Sequence, residues 1–162
     1  MGKIKMYLAG SLFSEANQKI RKEEYELAKR LVSDAVVFSP VAADFNTEKD
    51  TMLPTPEEIF WGDFNEIESS DYVIFDMGDQ HDPGLSAELG VVAGLNHYRK
   101  DNPIIPIGVV SDIRLASANK YSIPSYSMNH LVLGIFNAHG KIVSSFEEAL
   151  HLIKVMETVK ND

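Results

Sequence analysis

The run "DYVIFDM" (Asp71–Met77) is apolar through its whole middle, with no polar alternation. "NPIIPIGVV" (Asn102–Val110) repeats the pattern. A strand with one wet face alternates apolar and polar residues, so a continuously apolar strand is covered on both faces. Covering both faces of a sheet takes helices on both sides, and the stretches between the runs supply them.

"KIKMYLAG" (Lys3–Gly10) reads as a first strand ending in Gly. "SEANQKIRKEEYELAKRLV" (Ser14–Val32) reads as a helix. Ile20, Leu27 and Leu31 recur at helical spacing and the other faces are charged. "AVVFSP" (Ala35–Pro40) is a second strand stopped by Pro. "PEEIFWGDFNEIESS" (Pro56–Ser70) is a helix, with Pro and acids in its first turn and Phe60, Phe64 and Ile67 in phase. After the third strand, "GDQH" is a turn. Asp82 is then an N-cap and Pro83 suits the first position of a helix running to about Tyr98. Beyond the fourth strand come a short helix in "MNHLVLGIF", a short strand or turn in "GKIVSS" and an amphipathic C-terminal helix, "SFEEALHLIKVMETVK". Two long stretches, Val41–Pro56 and Ser111–Ser127, have no period; a loop that long is a functional lid or disordered.

Strand–helix alternation predicts an α/β fold, a doubly wound (Rossmann/flavodoxin-like) parallel sheet of about five strands with helices on both faces. The 162 residues suit a single domain, 1–162, with no linker, repeat or low-complexity tract. In such sheets ligands bind at the carboxyl rim, near the point where strand order reverses.

Composition removes several functions. There are no cysteines, so disulfides, thiolate catalysis, zinc–thiolate sites and iron–sulfur clusters are excluded. That fits a reducing cytoplasm. Net charge is −9 and Lys and Arg do not cluster, so neither a nucleic-acid polymer nor an anionic membrane is an expected partner. "MGKIKMYLAG" is too short and interrupted for a signal peptide, and no run approaches the ~20 apolar residues of a membrane span. His81, His97, His130, His139 and His151 have no ligand spacing, and "GxGxxG", the P-loop and the nucleophile elbow are absent. No metal or cofactor is expected.

Two carboxylates stand where the pattern wants apolar residues. At ~100° per residue, Asp63 falls on the arc of Phe60, Phe64 and Ile67. In the next helix Glu88 falls on the arc of Leu85, Leu89, Val92 and Leu95, and no other residue from Leu85 to Asn96 is an acid or a base except itself. Both acids lie in about the first two turns of their helices, the end nearest the carboxyl rim. Either acid alone is ordinarily a core-side group paired with Arg or capping a backbone; two in matched places favour a cleft. Asp82 is explained equally well by N-capping. By default Tyr7 is a core aromatic, and Ser11 and Phe13 are loop residues. Two or three carboxylates around a cleft suit cleavage of a glycosidic bond: one attacks the anomeric carbon or stabilises its charge, and another protonates the leaving group.

"MYLAGSLF", "DFNEIESSDYVIFDM" and "DPGLSAELGVVAG" stand in an order and at separations that resemble the nucleoside 2-deoxyribosyltransferase family over roughly Ile4–Phe136. The resemblance implies that Glu88 is the nucleophile. It would attack C1′ of a 2′-deoxynucleoside, release a free nucleobase, and pass the sugar with retention to a second base or to water. It further implies that Tyr7 orients Glu88, that Asp63 and Asp82 hold sugar hydroxyls or base and assist proton transfer, and that Phe13 packs on the base. Gly10, Ser11, Gly84 and Ser86, within the same motifs, would line the substrate. Asn129 matches an Asn that binds the 5′-hydroxyl in a neighbouring subunit's site, which implies a homo-oligomer.

A related branch hydrolyses 2′-deoxynucleoside 5′-monophosphates and is similar at Tyr7, Ser11 and Glu88. It binds phosphate with serines and an arginine; here those places hold Asp82 and Phe13, and an acid repels a phosphate. The chain also departs from the well-known transferases, which end in aromatic residues over the site, whereas this one ends "HLIKVMETVKND". Its loop Val41–Pro54 matches poorly too. Transfer is therefore the first expectation, hydrolysis on the same site the second, and a non-catalytic nucleotide-binding domain the third.

Overall fold

A computed structural model describes residues 3–42, 54–78, 82–112 and 128–161. Residues 43–53 and 113–127 of the two long aperiodic stretches, and 79–81 of the "GDQH" turn, His81 included, lie outside the described residues.

The elements run β1 (Ile4–Ala9), α1 (Glu15–Leu31), β2 (Ala35–Phe38), a 3-10 turn (Pro40–Ala42), α2 (Pro56–Ser69), β3 (Tyr72–Asp76), α3 (Pro83–Tyr98), β4 (Ile105–Val109), α4 (His130–His139), β5 (Lys141–Val143) and α5 (Phe146–Asn161). The strands form one sheet in the order β2-β1-β3-β4-β5, and every pairing is parallel. The doubly wound α/β class read from the sequence is the observed one. From β1 the chain first adds β2 on one side and then crosses to β3 on the other, so strand order reverses between β1 and β3. Their carboxyl ends diverge there and leave the crevice.

Local chemistry sets the helix ends. Ser14 Oγ accepts from the Asn17 amide at 3.1 Å and opens α1. Thr55 and Glu58 form a reciprocal capping box ahead of Pro56 at the start of α2. Asp82 Oδ1 accepts from the Gly84 amide at 2.9 Å and opens α3. The far end of α3 is tied to β4 by the buried Asn96, whose amide gives to the Ile104 carbonyl at 2.7 Å and takes from its N–H at 2.8 Å.

Strand alternation divides the core into two layers. Tyr7, Ala9, Val73 and Phe75 face α2, α3 and α4 and pack with Ile67, Leu89, Val92 and Phe136. Met6, Leu8, Tyr72 and Ile74 face α1 and α5 and pack with Ala28, Leu150 and Ile153. Burying each such large side chain contributes about 1.5–3 kcal/mol.

Two helical faces differ from the sequence reading. On α1, Leu27 and Leu31 pack against the core with Ala28 and Tyr25, as the spacing predicts, but Ile20 is 43% exposed and Arg21, only 4% exposed, turns inward to carboxylates. On α2, Ile67 is buried but Phe60 is 50% exposed; Phe60, Trp61 and Phe64 pack mainly on one another.

Candidate active site

At the carboxyl rim, over the β1–β3 reversal, is a cavity of about 830 Å³. Its floor and one side come from Gly10, Leu12 and Phe13 after β1 and from Pro40 and Val41 after β2. Ile59 and Asp63 of α2, then Asp82, Gly84, Leu85 and Glu88 at the start of α3, form another wall. Gln18 and Lys22 of α1 complete the lining.

The central contact joins β1 to α3. Tyr7 is fully buried, its ring stacked on Phe38 of β2 with centroids 5.4 Å apart. Its hydroxyl donates to Glu88 Oε1 at 2.9 Å. The other carboxylate oxygen, Glu88 Oε2, is buried and has no hydrogen-bond partner among the described residues. One oxygen is thus held and the other is buried without a partner among those residues. Such an orphan carries a desolvation cost, which points to a ligand or a reaction as its reason.

The electrostatics follow from two acids, Glu88 and Asp63, around one hydroxyl, with Asp82 acting on Glu88. Burial pushes the Glu88 carboxyl up to about 7; the Tyr7 hydrogen bond opposes this, and Asp63 and Asp82 add to it by like-charge repulsion. Asp63 is also pushed up by burial, against a hydrogen-bonding interaction with the Tyr7 hydroxyl. Tyr7 itself is raised well above the ordinary tyrosine range, first by burial, then by the charges of Glu88 and Asp63. It stays a phenol and serves as a fixed donor.

The structure therefore brings Tyr7, Asp63, Asp82 and Glu88 together, with Gly10, Phe13 and Gly84 on the cavity wall. Phe13 is 83% exposed, so its ring is available to a ligand. Ser11 is buried and Ser86 is exposed on α3; neither is among the lining residues. Asn129 caps α4, its Oδ1 accepting from the Leu131 amide at 2.8 Å, and it is exposed away from this chain's cavity.

A second ionic cluster, unforeseen in the sequence, lies beneath the first. Arg21 reaches under Gly10, so close that a Cβ there would overlap its guanidinium. Its Nη2 is 2.7 Å from Asp76 Oδ2, at the end of β3, and 3.2 Å from Glu24 Oε1. Its Nε lies 3.1 Å from Glu24 Oε2 without hydrogen-bond alignment. Glu24 is pushed up to about 7, by burial first, against the pull of Arg21. The one available signal was the Gly closing β1, which marks a close approach but does not name the residue approaching.

Fold and cavity define a class: an α/β protein whose switch-point crevice is walled by carboxylates, one of them gripped by a buried tyrosine. A sequence model of the family "Nucleoside 2-deoxyribosyltransferase" matches residues 6–124, and the chain belongs to that family. It is 26% identical over 159 residues to an uncharacterised protein of Ureaplasma parvum serovar 3, covering 93% of this chain and 95% of that one. Its fold is similar to the crystal structure of a conserved protein from Enterococcus faecalis, with a TM-score of 0.73 and 23% identity, covering 94% of this chain and 98% of the other. No helix among the described residues is long and apolar enough to cross a membrane.

Proposed function

We propose that this protein transfers 2-deoxyribose between nucleobases through a covalent ester on Glu88. The observation that carries the reading is the split role of the Glu88 carboxylate, with Oε1 held by Tyr7 and Oε2 buried and unpartnered in the residue that lines the cavity. In the first step Oε2 attacks C1′ as the C1′–N bond breaks, and the base departs with the electron pair. In the second, an incoming base attacks C1′ from the face the first one left, so configuration is retained. The Tyr7 hydroxyl has one proton and gives it to Glu88. Asp63, beside the same hydroxyl and raised by burial, suits the role of proton holder for the departing base. Asp82 suits the sugar hydroxyls, and its carboxylate opposes a 5′-phosphate in the same cavity.

The test is base exchange: deoxyinosine plus adenine, followed by chromatography of bases and nucleosides. Deoxyadenosine and hypoxanthine are expected. Hypoxanthine that appears equally fast without acceptor, with no new nucleoside, would assign hydrolysis instead. Glu88→Gln is expected to abolish both reactions, and undiminished exchange in that variant sinks the covalent mechanism.

A further inference from the structure

The carboxylates occupy one side of the cavity, on α2 and α3. The α1 side differs in chemistry. Gln18 and Lys22, four residues apart and so on one helical face, both line the cavity there. Apolar Leu12, Phe13, Val41 and Ile59 are the remaining side chains of consequence. A ligand matched to this lining has hydroxyls at one end, a flat apolar middle and a polar edge at the other. That is the outline of a nucleoside with its sugar at the acids and its base toward α1.

Lys22 is the only cation among the described lining residues. On the same helix Lys19 pairs with Glu23, Arg21 with Glu24 and Lys29 with Glu26. Lys22 makes no such pair among the described residues, although acids are plentiful on α1. Gln18 is partly committed: its Nε2 donates to the Leu12 carbonyl at 3.1 Å, which fixes the amide and leaves Oε1 as its acceptor.

Resting on the transfer reading above, we propose that Lys22, with Gln18 beside it, recognises the nucleobase and stabilises it as it leaves, selecting oxo bases over amino bases. When the C1′–N bond breaks and C1′ bonds to Glu88 Oε2, the electron pair passes to the base. In a 6-oxopurine or a 4-oxopyrimidine that charge spreads to the exocyclic oxygen, where an ammonium attracts it, until a ring nitrogen takes a proton from Asp63 or water. Adenine and cytosine leave more readily when a ring nitrogen is protonated before the C1′–N bond breaks, so that the base departs neutral, and a nearby ammonium opposes that protonation.

The experiment compares kcat/KM for deoxyinosine against deoxyadenosine and for deoxyuridine against deoxycytidine. The wild type, Lys22→Met and Lys22→Arg are measured side by side. The oxo substrate is expected to lead by about tenfold or more in the wild type, as one well-placed charge allows. The lead should collapse toward parity in Lys22→Met and persist in Lys22→Arg. A ratio unchanged in Lys22→Met, or a wild type that prefers amino bases, overturns the proposal. So does a loss in Lys22→Met confined to deoxyinosine 5′-monophosphate, assayed beside the four nucleosides, which would make Lys22 a phosphate contact. If no nucleoside turns over at all, the transfer reading falls on its own. Calorimetry with free hypoxanthine and adenine then decides the Lys22 question: tighter hypoxanthine binding that Lys22→Met erases supports it, and equal binding of the two bases overturns it.

Discussion

In the proposed transfer Glu88 has to be ionised to attack, yet burial raises its pKa to about 7. Turnover is expected to climb with pH as a single ionisation with a midpoint near 7; a rate flat from pH 5 to 8 would remove Glu88 from that role. The same shift sets a cost in stability. A carboxyl whose pKa is higher folded than unfolded binds its proton more tightly in the native state, so stability falls as pH rises from about 4.5 to 7. Glu88→Gln should therefore melt a few degrees higher than the wild type at pH 8, from at most about 3 kcal/mol, and level with it near pH 4. Tyr7 lowers the Glu88 pKa by its hydrogen bond. Tyr7→Phe is expected to move the acid limb of the rate profile up by about one pH unit, so that activity partly returns at high pH. A parallel drop at every pH would mean that Tyr7 serves packing alone. Glu88 and Asp63 were legible in the sequence because an acid inside an apolar arc contradicts its own pattern. Tyr7 was not legible apart from the resemblance. A buried aromatic in a strand looks the same whether its hydroxyl is idle or holds a group 81 positions away.

At the scale of elements, strand and helix order could be read almost throughout, and the boundaries moved by at most three residues, as at the start of β4 and the end of α4. On α1 the pattern identifies Leu27 and Leu31 as core-facing but misplaces Ile20 and misses Arg21. The charged residues of this helix form one of the commonest solvent-facing patterns, and no periodicity separates a solvated Arg from one that dives inward. Arg21 is inward because two carboxylates, one from its own helix and one from β3, wait beneath Gly10. It thereby staples α1 to the ends of β1 and β3, the two strands that bound the crevice. Removing the guanidinium strands two poorly solvated acids, so Arg21→Met should destabilise by about 3 kcal/mol in urea melts. Adding Asp76→Asn and Glu24→Gln should recover most of that loss. If the triple variant melts no better than Arg21→Met, the cluster is not the reason for the burial.

For the molecule as a whole, the cavity is complete in its acids but does not include Asn129, which sits exposed at the start of α4. If that side chain serves a neighbouring copy, two separately inactive proteins, Glu88→Gln and Asn129→Ala, should regain activity when refolded together. In a randomly mixed symmetric dimer half the molecules are hybrids and one of their two sites is intact, so recovery should approach about a quarter. Silence in the mixture would confine each site to one chain. The sheet carries a consequence of a different kind. Along β1 the side chains alternate between the layer that carries the cavity's carboxylates and the layer packed against α1 and α5: Tyr7 and Ala9 on one side, Met6 and Leu8 on the other. Natural variation in this strand is then free to drift on two separate accounts, and repacking Met6 and Leu8 need not disturb the Tyr7–Glu88 contact. A library covering Ile4–Ala9, sorted once for yield and once for turnover, should divide at every second position.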